Sequence, residues 1–419
     1  MNLLLQNPEQ ILTVNTNGKG YKRGYNLDNL EILTDHSILI ENDIIKDFLP
    51  NHTSSKLNFD KVIDCKNNIV LPGLVECHTH LVFSGSRADE FRQKLSGTSY
   101  EEMAKNGGGI NKTVNSVRET SFDDLLKISA KRVQHFIEQG VTTLEIKSGY
   151  GLDFENEIKI LKVIRELNKI FPITILQTFL GTHTIPNEFI SNRNGYIDLI
   201  LNKLLPFIKK ENLADSCDAF CESTAFSSDE VDKIFQKANE LGLRCKLHTD
   251  QFNSIGGIDV AIKNNALSID HLEIIPEKEI NKLSDLEMVC VLLPGVSYFL
   301  NHKYSPAKKL IDNNVILALA TDFNPGSSNI KNISLIMSLA ALKLGMSIEQ
   351  IISAYTINSA KALGLSKEIG SLEIGKKADL SIFGTDNYSD IIYQTGENLN
   401  IKTIKNGKLI YNRKTNKEN

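Results

Sequence analysis

A chain of 419 residues exceeds what one small domain needs and can bury a sizeable core. Its formal net charge of -4, with neither sign gathered into a block, argues against nucleic acid or an anionic membrane as partner. The opening run MNLLLQNPEQILTVN has no basic segment before its short apolar stretch, and no later run reaches the ~20 apolar residues of a membrane span, so a cytosolic protein is expected.

Residues 1–70 hold short apolar runs such as HSILI and KVIDC between polar turns. From 71 onward the pattern changes to a β-branched run followed by an amphipathic helical stretch, repeated in the manner of parallel βα units. The strand-like runs are GLVECHTH (73–80), VTTLEIKSG (141–149), ITILQTFLG (173–181), SCDAFCE (216–222), RCKLHTD (244–250), ALSIDHLE (266–273), MVCVLLPG (288–295) and VILALATDF (315–323). Between them, 122–139 carries apolar residues at helical spacing and stops at Gly140, and Ser227 with Glu230 forms a capping box ahead of VDKIFQKANELG. Eight alternations predict an α/β fold with a closed (β/α)8 barrel over 71–369, whose working residues stand at the carboxyl ends of the strands. An open doubly wound sheet is the rival, but no glycine-rich phosphate fingerprint follows the first strand. Beyond the barrel, GSLEIGKKADLSIF (370–383) and NIKTIKNGKLIYN (400–412) read like the amino-terminal runs. A small β-sandwich assembled from 1–70 and 370–419 is therefore expected.

The six cysteines lie mostly in apolar, strand-like runs, which suits reduced, buried thiols. Cys217 and Cys221 have no second Cys or His pair nearby to complete a zinc clip.

Chemistry concentrates at the strand ends. His78 and His80 flank Thr79, and side-chain alternation lets both imidazoles face the same space. His248, His271 and Asp322 end the fifth, sixth and eighth strands. Singly, each would more often be a hydrogen-bonded core residue. Together with His183, however, five of the nine histidines fall at or just past strand ends, whereas His36, His52, His135 and His302 are scattered. Three imidazoles and a carboxylate suit Zn²⁺ or a similar ion with a position left for water, whose pKa would fall to about 7. Asp322 is placed to touch the metal and accept a proton, with His271 facing a carbonyl or leaving nitrogen.

These residues and their order resemble the amidohydrolase superfamily. The stretches LPGLVECHTHLVFSGSRADEF (71–91), GGGINKTVNSVRETS (107–121), EIKSGYGLD (145–153), QTFLGTH (177–183), HTDQFN (248–253), SIDHLE (268–273) and ATDFNPGSS (320–328) are similar to those members that open 4-imidazolone-5-propanoate to N-formimidoyl-L-glutamate in histidine degradation. The resemblance implies one zinc or iron ion per subunit, held by His78, His80, His248 and Asp322. It further implies that Arg87, Tyr150, His183, Gln251, Asn324, Gly326 and Ser327 hold substrate or product. A guanidinium grips a carboxylate through paired hydrogen bonds, which makes Arg87 the anchor for the propionate. The competing role is a surface pair with Asp89 or Glu90, and Tyr150, between two glycines, could instead fill a turn.

A two-metal barrel of this kind would want a lysine at the end of the fourth strand, which instead ends in Phe220, Cys221 and Glu222. Lys147, on the second strand, is read as a structural or charge-pairing residue. Gln251 stands where some relatives carry glutamate. An amide cannot act as a base, so proton transfer is left to Asp322 and His271. The glycines at 107–109 are either a flexible connection or a set of amides for an anion. A homodimer is expected, as the commonest assembly.

Overall fold

The computed structural model describes residues 2–96, 108–284 and 286–413. Eight parallel strands follow one another in strict sequence order around a barrel: β1 (Leu74–Glu76), β2 (Val141–Lys147), β3 (Thr174–Thr182), β4 (Ser216–Cys221), β5 (Arg244–Thr249), β6 (Ser268–His271), β7 (Val289–Leu292) and β8 (Ile316–Leu319). Both faces of such a sheet are covered, by helices outside and packed side chains within. Accordingly β2, β6, β7 and β8 are buried at every position, which is why they read as continuous rather than alternating apolar runs.

The regular part of β1 stops four residues short of the expected end. There the carboxylate of Glu76 accepts the Thr321 backbone N–H at 2.9 Å, so a side chain joins β1 to β8. Backbone pairing resumes where Thr79 bridges Phe323 and His80 N–H donates to the Phe323 carbonyl at 3.0 Å. The His-x-His segment thus closes the barrel, and closure fixes its direction. The expected seventh strand also ends early, because Pro294 begins the helix Pro294–Leu300, a position where its missing N–H costs nothing.

The helix Phe122–Glu138 starts at Ser121, whose Oγ accepts from Asp124 N–H, and ends before Gly140 at φ 95°. The Ser227–Glu230 capping box is present in both directions at the head of Ser228–Glu240. Two further sheets come from the chain ends. One orders Ile44–Pro50, His36–Glu41, Asn2–Gln6 and Lys61–Asp64; the other orders Lys408–Asn412, Asn400–Lys405, Leu380–Phe383, Ile69–Pro72, Gln10–Leu12 and Ile32–Leu33. Leu3, Leu5, Ile38 and Ile40 of the first meet Ile11, Val70, Leu380 and Ile404 of the second in a shared apolar cluster, the sandwich arrangement expected.

All six cysteines are free and buried. Of the glycines at 107–109, Gly107 lies outside the described residues. Gly109 takes φ 77° at the head of the helix Ile110–Glu119, and its N–H donates to Glu90 Oε2 at 3.2 Å. The anion these amides meet is therefore, in part, the protein's own. No helix among the described residues is long and apolar enough to cross a membrane.

Candidate active site

At the carboxyl ends of the barrel strands, four side chains from the segment after β1, from β5 and from the turn after β8 converge. His78 Nε2 and His80 Nε2 lie 3.3 and 3.2 Å from the same oxygen, Asp322 Oδ1. His248 Nε2 is 3.3 Å from His80 Nε2. His271, at the end of β6, brings its ring centroid within 5.3 Å of that of His248 and joins His78 and His248 in a second compact group of ligand atoms.

The tautomers follow from what stands behind the rings. His78 Nδ1–H donates to Asp270 Oδ2 at 2.6 Å and His248 Nδ1–H to Asp218 Oδ1 at 3.1 Å. Because a carboxylate only accepts, each ring carries its proton on Nδ1 and presents a lone pair at Nε2. Burial holds His80 below the ordinary imidazole range and His248 down to about 3, so both rings are neutral. Burial alone would raise the Asp322 carboxyl, and positive charge beside its Oδ1, which a cation held by the facing Nε2 atoms would supply, keeps it ionised.

The His78 Nε2 lone pair therefore faces a carboxylate oxygen, and both His78 Nε2 and Asp322 Oδ1 are buried with no hydrogen-bond partner. Such an arrangement is costly unless a cation lies among them. The donor set, imidazole nitrogen and carboxylate oxygen, fits a metal ion.

These groups open into a cavity of about 890 Å³ whose wall includes His80, His248, His271 and Asp322, together with Arg87, Tyr150, His183, Gln251, Asn324, Gly326 and Ser327. Of the residues expected to hold metal, substrate or the travelling proton, all are on this wall except His78. Arg87 Nε and Nη2 each stand 2.8 Å from Glu90 Oε2, so the pairing foreseen as an alternative exists within the cavity itself. A side chain at Gly326 would begin 2.1 Å from Arg87 Nη1, so the guanidinium would have to shift to admit one. Asn324 is largely committed: its Nδ2 donates to Asp322 Oδ2 at 3.0 Å, and its Oδ1 accepts the N–H groups of Gly326 and Ser327 at 2.7 Å. It ties the turn to the carboxylate.

Tyr150 rides on a loop folded around one buried carboxylate. Glu157 Oε1 accepts the N–H groups of Gly149, Gly151 and Leu152 at 3.2, 2.8 and 3.0 Å. Gly149, at φ 107°, has no room for a Cβ against the Leu180 carbonyl, and its own carbonyl meets His183 Nδ1 at 3.1 Å. Glu157 thereby positions Tyr150 and His183 together. Losing a buried acceptor costs about 1–3 kcal/mol, so Glu157→Leu, which withdraws both oxygens from the loop amides, is expected to raise KM about tenfold with a smaller change in kcat. Steady-state kinetics giving an unaltered KM would show that the loop holds without it.

Several residues here escaped the sequence reading. His302, read as scattered, lines the cavity against Phe252, with ring centroids 5.5 Å apart. Asn301, in the left-handed conformation at φ 54°, ends the preceding helix and turns the chain back. Asp218 and Asp270, which orient the histidines, were also missed. The available signal was an acid within the wholly buried SIDH run and the almost wholly buried SCDAFC.

The Amidohydrolase family model matches residues 69–410. The imidazolonepropionase of Flavobacterium johnsoniae is 40% identical over 408 residues, covering 97% of this chain and 99% of that protein. The imidazolonepropionase of Christiangramia forsetii is 40% identical over 411 residues, covering 98% and 100%. Among solved structures, an adenosine deaminase from Xanthomonas campestris with bound zinc superposes with a TM-score of 0.72 at 17% identity, covering 100% of this chain and 94% of that one, a likeness of fold. With the matched region spanning the barrel and the two imidazolonepropionases aligned almost end to end, the chain belongs to the amidohydrolase family.

Proposed function

We propose that the protein hydrolyses the cyclic amide of 4-imidazolone-5-propanoate to N-formimidoyl-L-glutamate, a reading supported by relatives aligned almost end to end that are named imidazolonepropionase. What supports this reading best is one juxtaposition: a carboxylate-binding side chain, Arg87, lines the same cavity as the converging Nε2 atoms and Asp322.

His78, His80, His248 and Asp322 would hold one zinc or iron ion, which when bound supplies Lewis acidity and lowers the pKa of water. Arg87, kept in place by Glu90, receives the propionate and so sets the ring's position; Tyr150 and His183 flank it. In the hydrolysis the water oxygen bonds to the ring carbonyl carbon and the adjacent C–N bond breaks. One proton must travel from water to the departing nitrogen. Asp322, held ionised, accepts it. His271, whose Nδ1 is 3.3 Å from Glu273 Oε1, turns its other nitrogen toward the cavity, where it hydrogen-bonds the carbonyl or the departing nitrogen. Gln251 contributes hydrogen bonds only.

The direct test follows the absorbance of imidazolone propionate with metal-replete and chelated protein; rapid loss is expected only with the former. Preference for an aminopyrimidine over this substrate would overturn the assignment. Arg87→Ala should keep its metal while KM rises roughly 10- to 100-fold, matching the ~1.5–3 kcal/mol of a charge-assisted hydrogen bond. Metal lost from that variant would make Arg87 structural.

A further inference from the structure

Beneath the histidines the barrel interior holds a cluster of ionisable groups that hydrolysis does not use directly. Glu145 and Lys147 come from β2, Asp218 from β4, Lys246 from β5 and Asp270 from β6, and none is more than 1% exposed. Lys147 Nζ lies 2.7 Å from Asp218 Oδ2, 2.9 Å from Glu145 Oε2 and 3.7 Å from Asp270 Oδ2. Lys246 Nζ lies 2.8 Å from the same Glu145 oxygen and donates to the Cys77 carbonyl at 3.0 Å. Its ion pair is with Glu145, whereas Lys147 spans Asp218 and Asp270, the two carboxylates that receive the Nδ1 protons of His248 and His78.

Apolar side chains fill a barrel at lower desolvation cost than a buried ion cluster, so stability is a weak reason for these charges. Their arrangement gives a stronger one. Without the Lys147 ammonium between them, Asp218 and Asp270 would repel each other and Glu145 in a low-dielectric interior and turn away from one another. That loosens the bonds that keep the Nε2 atoms of His248 and His78 aimed at one point. We propose that Lys147 is a positioning residue for the metal-holding imidazoles, acting through Asp218 and Asp270. This rests on the reading of His78, His80, His248 and Asp322 as metal ligands.

Co²⁺ alone serves as the probe, added to the full-length metal-free protein. Its affinity is read by competition with a chelator and its coordination geometry by the visible d–d bands. Lys147→Met is expected to weaken Co²⁺ binding by about 10- to 100-fold, the range for losing an outer-shell partner, and to alter the bands. Lys246→Met, an equally buried loss of a charge that acts on Asp270 from beyond contact distance and leaves both Lys147–aspartate contacts intact, should weaken Co²⁺ binding less than Lys147→Met and keep the parent's bands. If Lys147→Met does not fold, Lys147→Gln, which retains a donor of similar length, takes its place with the same two readouts. Unchanged affinity and bands at position 147, with only a lower melting temperature, would overturn the positioning role. So would Lys246→Met matching Lys147→Met in both readouts. Failure of the ligand reading looks different: His248→Ala would then bind Co²⁺ as tightly as the parent.

Discussion

His248→Ala is expected to lose its metal and, with it, more than about a thousandfold in kcat/KM, since the variant surrenders the means of generating a nucleophile at neutral pH. The size of the effect comes from the compactness of the group. His248 Nε2 stands 3.3 Å from His80 Nε2, while His78 and His80 share one Asp322 oxygen, and no other imidazole takes the β5 position. The substitution also removes the partner of Asp218 Oδ1, although the Ala219 N–H still donates to that oxygen at 2.7 Å. Folding should therefore survive, and elemental analysis of the purified variant can be set beside its turnover of imidazolone propionate. Added metal should raise the melting temperature of the parent, which binds it only when folded, and leave that of the variant unmoved. A variant retaining stoichiometric metal and full turnover would remove His248 from the ligand set.

That His248 could be singled out at all reflects how parallel strands are read. Buried on both faces, they appear as apolar runs, so a histidine closing RCKLHT or SIDH stands out against its neighbours. The order of the eight runs then gives the barrel, and the barrel gives the shared end at which His78, His80, His248, His271 and Asp322 meet. Residues that act through a partner were less legible. Asp270 and His78 are 192 positions apart, and Glu76 completes the barrel by reaching Thr321, 245 residues away. Nothing local marks either pairing. Lys147 could be recognised as charge-pairing, but its position between Asp218 and Asp270 depends on strand register. The sandwich shows the same limit. Its short runs are visible as strands, yet Asn2–Gln6 pairs antiparallel with His36–Glu41 and parallel with Lys61–Asp64, an order that periodicity does not encode.

His271→Asn should separate a proton-handling role from a ligand role. His271 is held at φ 89° and Leu272 at φ 68°, backbone that costs non-glycine residues of order 1–3 kcal/mol each. Ser305 Oγ, donating to the His271 carbonyl at 2.8 Å, helps to secure that conformation. The strained turn leaves Nδ1 against Glu273 and the other nitrogen toward the cavity. Asparagine tolerates positive φ, so the substitution removes the imidazole without disturbing the backbone. If His271 hydrogen-bonds the reacting carbonyl or the leaving nitrogen, kcat should fall by about 10²- to 10⁴-fold while metal content and KM stay near those of the parent. Glu273→Gln should shift kcat the same way by a smaller factor, because the ring is kept but its alignment is weakened. His271 also lies within ligand distance of His78 and His248. Loss of metal from His271→Asn would therefore move it into the coordination sphere and leave Asp322 as the sole proton carrier.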